Sequence, residues 1–265
     1  MATEAFRGWH WEDPAALSER MWEKLADLAQ CEKLEEVADG PRFGPALLRD
    51  LGVTGVEFAA WKTSHPAGLG TDLVGLRTAG DAPHSTTEPG QIYRIDGEIL
   101  FTQLDIRQPL PFGDGSLEWV YVEHLIEHVS LTDAIGWLRE VGRILAPGGL
   151  FRVTTPDLRR YVESYGRAGG MFAQHRLRVA PARLEPRLPD RQAFMLNQLF
   201  LWGHRWIYDL DELRYALASA GFDRDAVAER SYRKGGRADV AGLDQRFSQR
   251  RDHLRRGDGL TPAWR

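Results

Sequence analysis

The chain has 265 residues and a mass of 30.0 kDa, enough for one α/β domain with a core of its own or at most two small domains. Hydrophobic residues make up 43% and charged residues 27%, the balance of a folded globule, which excludes disordered and fibrous classes. The formal net charge is -4, yet residues 230–265 hold ten Arg/Lys against four Asp, a local basic excess that could meet nucleic acid or simply face water. No nucleic-acid motif accompanies that tail, so nucleic acid is not expected as a partner.

No apolar run approaches the ~20 residues that cross a bilayer. The start, MATEAFRGWHWED, shows no charged-then-apolar leader. The single cysteine, Cys31, cannot form an intrachain disulfide or build a cysteine-rich zinc site. A cytoplasmic protein without membrane contact is expected.

In chain order, the spacing first predicts a helix over 14–38. Asp13 can cap it, Pro14 fits its first turn, Leu17, Met21, Leu25 and Leu28 share a face, and Gly40-Pro41 stops it. A short helix over 44–51 ends at Gly52. Gly55–Ala59 reads as a buried strand, followed by a loop through His65-Pro66, and Thr71–Leu76 as a second strand. The stretch 77–97, rich in Gly, Pro, Thr and Ser, reads as a loop. Glu98–Asp105 is a third strand, Pro109 and Pro111 force extended backbone, and Leu117–Val122 is a fourth, apolar on both faces.

Residues 131–145 make the clearest helix. Ile135, Leu138, Val141 and Leu145 share a face, Ser130 or Thr132 can cap it, and Pro147-Gly148-Gly149 ends it. Leu150–Thr155 is a fifth strand and Asp157–Tyr165 a helix. Residues 167–191 are basic and carry Pro181, Pro186 and Pro189, so they read as an excursion. Helices follow over 191–201 and 210–220, the latter capped by Asp209, then a strand near Val227–Tyr232. Strands alternating with helices predict an α/β fold with a doubly wound, mostly parallel sheet and an N-terminal helical cover. The division expected is a helical cap over 1–52, an α/β domain over 53–234 with an insertion or lid over 167–208, and a basic tail over 235–265. Ligands in such sheets sit at the carboxyl ends of the strands, near the switch point.

Three runs in order carry a resemblance: Leu110–Ser116 (LPFGDGS), His124-Leu125-Ile126-Glu127-His128, and Leu138–Gly149 (LREVGRILAPGG). With the later Gly203-His204-Arg205-Trp206-Ile207-Tyr208-Asp209 and Ala220-Gly221-Phe222, the chain over roughly 53–232 resembles the class I S-adenosylmethionine-dependent methyltransferases, in a branch of predicted methyltransferases. The resemblance implies the Rossmann-like methyltransferase fold and S-adenosylmethionine as cofactor. It places the first, glycine-rich motif at Glu57-Phe58-Ala59-Ala60-Trp61, where Ala59 and Trp61 fill the two glycine positions. Trp61 would occupy the cofactor's space unless its ring swings away or stacks beside it.

The resemblance further implies that Asp72, with Leu73 beside it, meets the ribose hydroxyls, that Asp105 and Ile106 contact the adenine, and that Glu123 faces the methyl-transfer centre. Asp72 and Asp105 also suit ordinary turns. For an oxygen or nitrogen acceptor, a base must take a proton, and His124 is the first candidate and His204 the second. Each histidine also suits a structural role, and His128 is read as structural. His124, Glu127 and His128 repeat the spacing of an inverted zinc-peptidase motif. No third ligand stands out downstream, so no metal is expected. Phe200, Trp202, Trp206 and Tyr208 either line an acceptor pocket or form core.

The function expected is methyl transfer from S-adenosylmethionine to an oxygen or nitrogen of a small-molecule acceptor, a specialised metabolite or a sugar. The alternative is a methyltransferase fold with lost or altered cofactor use, acting as a binding partner or running other chemistry. Trp61 and the arginine-rich end, where the family usually adds a last apolar strand, support that alternative. The oligomeric state stays open, a homodimer included.

Overall fold

The computed structural model describes residues 29–79, 86–165, 193, 196–197, 199 and 203–245, and the backbone of 259–261. Along the chain the elements are β1 (Gln30–Cys31), β2 (Leu34–Asp39), α1 (Pro45–Asp50), β3 (Gly55–Phe58), β4 (Gly68–Asp72), β5 (Arg77–Thr78), β6 (Gln91–Ile95) and β7 (Ile99–Gln103). They continue as β8 (Leu117–Glu123), a 3-10 turn (Ile126–His128), α2 (Leu131–Ile144), β9 (Leu145–Thr154), α3 (Leu158–Tyr165), α4 (Leu210–Ala220), a 3-10 turn (Arg224–Ala226), β10 (Ala228–Arg230), α5 (Ala238–Ala241) and β11 (Gly259–Thr261).

Nine strands form the main sheet in the order β10-β11-β9-β8-β3-β4-β7-β6-β2. The central run β9-β8-β3-β4-β7 is parallel throughout, and β6, β2 and β11 join it antiparallel. The chain moves outward from β3 through β4 to β7, then returns to β8 on the other side of β3. The switch point expected of a doubly wound sheet therefore lies between β3 and β8.

Residues alternate between the two faces. Val56, Phe58, Val120, Val122, Phe151 and Val153 are buried on one face with Trp137, Leu138, Val141 and Ile144 of α2 and Leu213, Ala216 and Leu217 of α4. Both helices start as the sequence predicts. Ser130 accepts from the Asp133 N–H, and Asp209 accepts from the Glu212 N–H. Gly221, at φ 102, closes α4 in the left-handed conformation.

The opposite face is built differently. Nine residues, 59–67, join the parallel strands β3 and β4, where a dozen or more and usually a helix are needed. The short link works because it lies flat on β4. A Cβ at Gly70 would come within 2.5 Å of the Ala60 carbonyl oxygen and 3.1 Å of that of Trp61. Further along, Val240 and Leu243 cover Trp119 and Tyr121 of β8. Arg152 of β9 is fully buried and pairs with the carboxylate of Asp244, fixing the segment 231–245 across this face. The arginines of that segment have internal partners as well: Arg237 meets Glu118 and Asp239.

Several expectations need correction. Residues 30–31 and 34–39 are strands rather than the end of a helix over 14–38, whose first part lies outside the described residues. The apolar stripe at helical spacing ends at Leu28. Beyond it, β2 supplies the partner that β6 lacks on its outer edge, with a bulge between Glu36 and Ala38. The second strand is Gly68–Asp72 rather than 71–76, because the Asp72 side chain accepts from the Val74 N–H and turns the chain there. The stretch 77–97 is not all loop: β6 forms a hairpin with β7 across Asp96 and Gly97, at φ 52 and 85.

Pro147-Gly148-Gly149 does not end α2 in a loop. The helix gives way at Leu145 directly to β9, which contains those residues, with Gly148 at φ 75. Where a last apolar strand is missing from the sequence pattern, β11 nonetheless threads between β9 and β10. The excursion 167–191 lies outside the described residues, and residues 193, 196, 197 and 199 of the helix expected over 191–201 are helical.

Candidate functional site

Four carboxyl-terminal strand ends, those of β3, β4, β7 and β8, line the edge beside the switch point. β3 delivers Glu57, whose side chain is buried and whose Oε2 has no hydrogen-bond partner among the described residues. Burial first, and the charge of Glu123 as well, push the Glu57 carboxyl up to about 7, against a hydrogen bond from Thr63 that lowers it. Ala59 follows at φ 57, taking the left-handed backbone that a glycine would supply more readily.

Trp61 turns away from the crevice between β3 and β8. Its ring packs with Cys31, Leu76, Ile95 and Phe101 over β4 and β7, and its indole N–H donates to the Val74 carbonyl at 2.9 Å. The indole therefore covers sheet that the missing crossover helix would otherwise protect.

From β4, Asp72 reaches the same edge half-buried. Burial pushes its carboxyl up to about 6, opposed by hydrogen bonds from the Val74 and Leu73 backbone. Leu73 beside it is exposed. At the end of β7, Asp105 is held by Arg107, whose Nε lies 2.9 Å from Oδ1 and whose terminal nitrogen lies 2.6 Å from Oδ2. That guanidinium keeps the Asp105 carboxyl below the usual range. Ile106 is buried.

β8 ends on Glu123, which accepts from the Gln245 N–H, and on His124 at φ 56. A left-handed histidine is uncommon and strained, and its backbone is fixed by an N–H bond to the Thr154 carbonyl. The turn aims His124 Nδ1 at Glu127 Oε1, 2.9 Å away. Glu127 is fully buried, and Thr155 donates to its other oxygen at 3.0 Å. Burial alone would raise this carboxyl. The His124 hydrogen bond and the nearby His124, His128 and His204 bring it down to about 2.

Sequence separation hid the next partner. The N–H groups of Arg205 and Trp206 donate to the Glu127 carbonyl, docking the segment 203–208 on the turn after β8. His204 thereby comes to 4.7 Å from His128, ring to ring, edge on. Burial lowers its imidazole to about 4, with Glu127 opposing. His124 and His204 thus both belong to one cluster around Glu127. The His128 reading gains a partner that its spacing did not suggest.

Among the aromatic candidates, Tyr208 is buried core, Trp206 is exposed and donates to Glu212, and residues 200 and 202 lie outside the described residues. The run Leu110–Ser116 proves to be scaffold. Arg143 donates to the Leu110 and Phe112 carbonyls and pairs with Glu140 and Asp114, tying that loop to α2.

The residues present fit S-adenosylmethionine on structural grounds. An orphaned buried carboxylate oxygen, a left-handed turn after β3 and an acid at the end of β4 line the edge, and the indole lies to one side. Residues 68–153, about a third of the chain, match the family model described as "Methyltransferase domain". The match starts just past the short crossover. No curated protein matches. The chain is similar in structure to an S-adenosylmethionine-dependent methyltransferase from Mesorhizobium loti, at 17% identity and TM-score 0.41, covering 82% of this chain and 95% of that one. It is similar to another from Thermotoga maritima, at 14% identity and TM-score 0.39, covering 83% and 85%. A third structure is PigF with SAH, at 12% identity and TM-score 0.32, covering 62% of this chain and 35% of that one. Among the described residues, no helix is long and apolar enough to cross a membrane. The matched segment and the strand order support a methyltransferase domain over residues 68–153, with S-adenosylmethionine as its cofactor.

Proposed function

We propose that the protein transfers a methyl group to an oxygen or nitrogen of a small-molecule acceptor, a specialised metabolite or a sugar, with His124 as the base. The observation that carries this reading is the His124–Glu127 pair at the end of β8, next to the switch point. Bound at that edge, the cofactor supplies an activated methyl group. The chain's own residues do the rest. Asp72 accepts from ribose hydroxyls, and Glu57 receives the amino group with its unpaired oxygen. Leu73, Ile106 and Asp105 border the base, with Ala59 and Trp61 shaping the turn beside them. Glu123 orients the acceptor at the strand end. His124 takes the acceptor's proton on Nε2, because Nδ1 is engaged with Glu127, which holds the ring in place. His204 acts behind this pair, against Glu127.

Two outcomes test the assignment. Asp72→Ala should weaken S-adenosylhomocysteine binding about 10–100-fold in calorimetric titration, the value of a lost charge-assisted hydrogen-bond pair. An unchanged affinity would remove Asp72 from the site. His124→Asn keeps a residue that tolerates left-handed backbone, so the fold survives. It should lower kcat about 100- to 10,000-fold with cofactor affinity retained, measured as S-adenosylhomocysteine release across an acceptor panel. Loss of cofactor binding instead of turnover would reassign the histidine.

The second reading, a fold with altered cofactor use, is favoured by the nine-residue crossover without a helix and by a family match that begins only at residue 68. Titration with S-adenosylmethionine separates the two: no heat at millimolar ligand supports the second.

A further inference from the structure

We propose that Glu127, His128 and His204 bind one divalent transition-metal ion, zinc or a close neighbour in the same series. The ion would sit between the turn that leaves β8 and the segment 203–208. One ligand atom from each residue falls within 4.8 Å of the other two. The donor set, two imidazoles and a carboxylate, is the one that suits zinc and its neighbours rather than magnesium or calcium. His204 Nδ1 is buried and has no hydrogen-bond partner among the described residues, which carries a desolvation cost. A metal ion resolves that cost directly.

The surrounding bonds have the form of an outer ligand shell. His124 Nδ1 and Thr155 Oγ1 hold the two oxygens of the Glu127 carboxylate, fixing its plane. The Arg205 and Trp206 N–H groups, bonded to the Glu127 carbonyl, fix the backbone that carries His204. Tetrahedral ligand atoms at ~2.1 Å from zinc stand about 3.4 Å apart, so the side chains must draw in by roughly 1 Å. Three protein ligands leave a fourth position for water or an acceptor atom.

This set differs from the one the sequence spacing suggests. In the inverted zinc-peptidase pattern His124 and His128 would be ligands and Glu127 the base. Here His124 turns onto Glu127, and the third ligand arrives from 76 positions downstream of His128. The proposal shares Glu127 and His204 with the methyl-transfer reading but draws nothing from the cofactor edge at Glu57 and Asp72.

The test uses the full-length, untagged protein, stripped with a chelator and titrated with Co²⁺ and then Zn²⁺. One equivalent of Co²⁺ per chain is expected, with the visible bands of a four- or five-coordinate site, displaced by one equivalent of Zn²⁺. His128→Ala and His204→Ala should each weaken binding at least ~10-fold, whereas His65→Gln, on the β4 side, should leave it unchanged. Binding well below one equivalent in the natural chain would overturn the proposal, and so would natural-strength binding in both histidine variants. The stoichiometry and spectrum of the natural chain decide the matter even where a variant fails to fold. S-adenosylmethionine titration of the same samples reads the cofactor edge separately.

Discussion

Urea unfolding of Asp244→Ala is expected to show a loss of about 3–5 kcal/mol against the natural chain, the penalty for leaving one member of a buried ion pair without its partner. Arg152 has 0% side-chain exposure and Asp244 3%. The carboxylate also accepts from the Arg233 N–H at 2.7 Å and from the Tyr121 hydroxyl at 3.3 Å. Removing it strands a guanidinium beneath the sheet and unties 231–245 from Trp119 and Tyr121. The double variant Arg152→Met/Asp244→Leu should recover most of the loss, since an apolar pair of similar volume carries no desolvation cost. A single-variant loss under ~1 kcal/mol, or a double variant no better than the single, would show that the pair does not hold this segment.

Glu57→Gln should do the opposite and stabilise the protein, in a way that depends on pH. The folded-state carboxyl lies at about 7, above its ordinary 4.5. The folded chain therefore holds that proton more tightly than the unfolded one. The stability this provides is fully present below about pH 4.5, falls as pH rises, and is gone above about pH 7, a total of roughly 3 kcal/mol. Glutamine, without a titrating group, escapes the decline. The two proteins should match near pH 4.5, and the variant should gain up to ~3 kcal/mol by pH 8, read by denaturant unfolding without ligand. A difference that stays flat from pH 5 to 8 would mean that Glu57 is not desolvated as described. The same substitution should weaken S-adenosylmethionine binding above neutrality, because the carboxylate that destabilises the empty fold is the one proposed to receive the cofactor's amino group. Stability given up at a site in return for binding is a familiar trade.

Strong local signals were readable from the residues alone. α2 and α4 combine a one-sided apolar stripe with a side chain that caps the first turn, so their existence and starts followed from Ser130 and Asp209. β8, apolar on both faces, could only be a central strand. β6 was missed although its signal was present. Asp96-Gly97 between Tyr93-Arg94-Ile95 and Ile99-Leu100-Phe101 is a hairpin turn, obscured by the Gly- and Pro-rich residues before it. β1, β2 and β11 had no such signal, because an edge strand of mixed polarity is defined by the neighbour it pairs with.

The site divides in the same way. Glu57 and Glu123 could be placed in and at the end of their strands because strands order residues along a line, whereas Asp72 became a strand end only where β4 proved to be Gly68–Asp72 rather than 71–76. The turn of Trp61 toward Phe101 and the meeting of His204 with His128 depend on how distant segments dock, which no spacing records. The tie of Leu110–Ser116 to α2 was hidden in the same way, since Arg143 donates to the Leu110 and Phe112 carbonyls from some thirty positions downstream.

The threading of β11 between β9 and β10 has a consequence for biosynthesis. Residues 145–154 emerge from the ribosome a hundred positions ahead of residues 259–261, and through that interval one margin of β9 lacks its eventual neighbour. A bare margin of this kind invites pairing with other chains. Vectorial synthesis thus leaves that margin open until residues 259–261 are made, and a truncation ahead of residue 259 would make the exposure permanent.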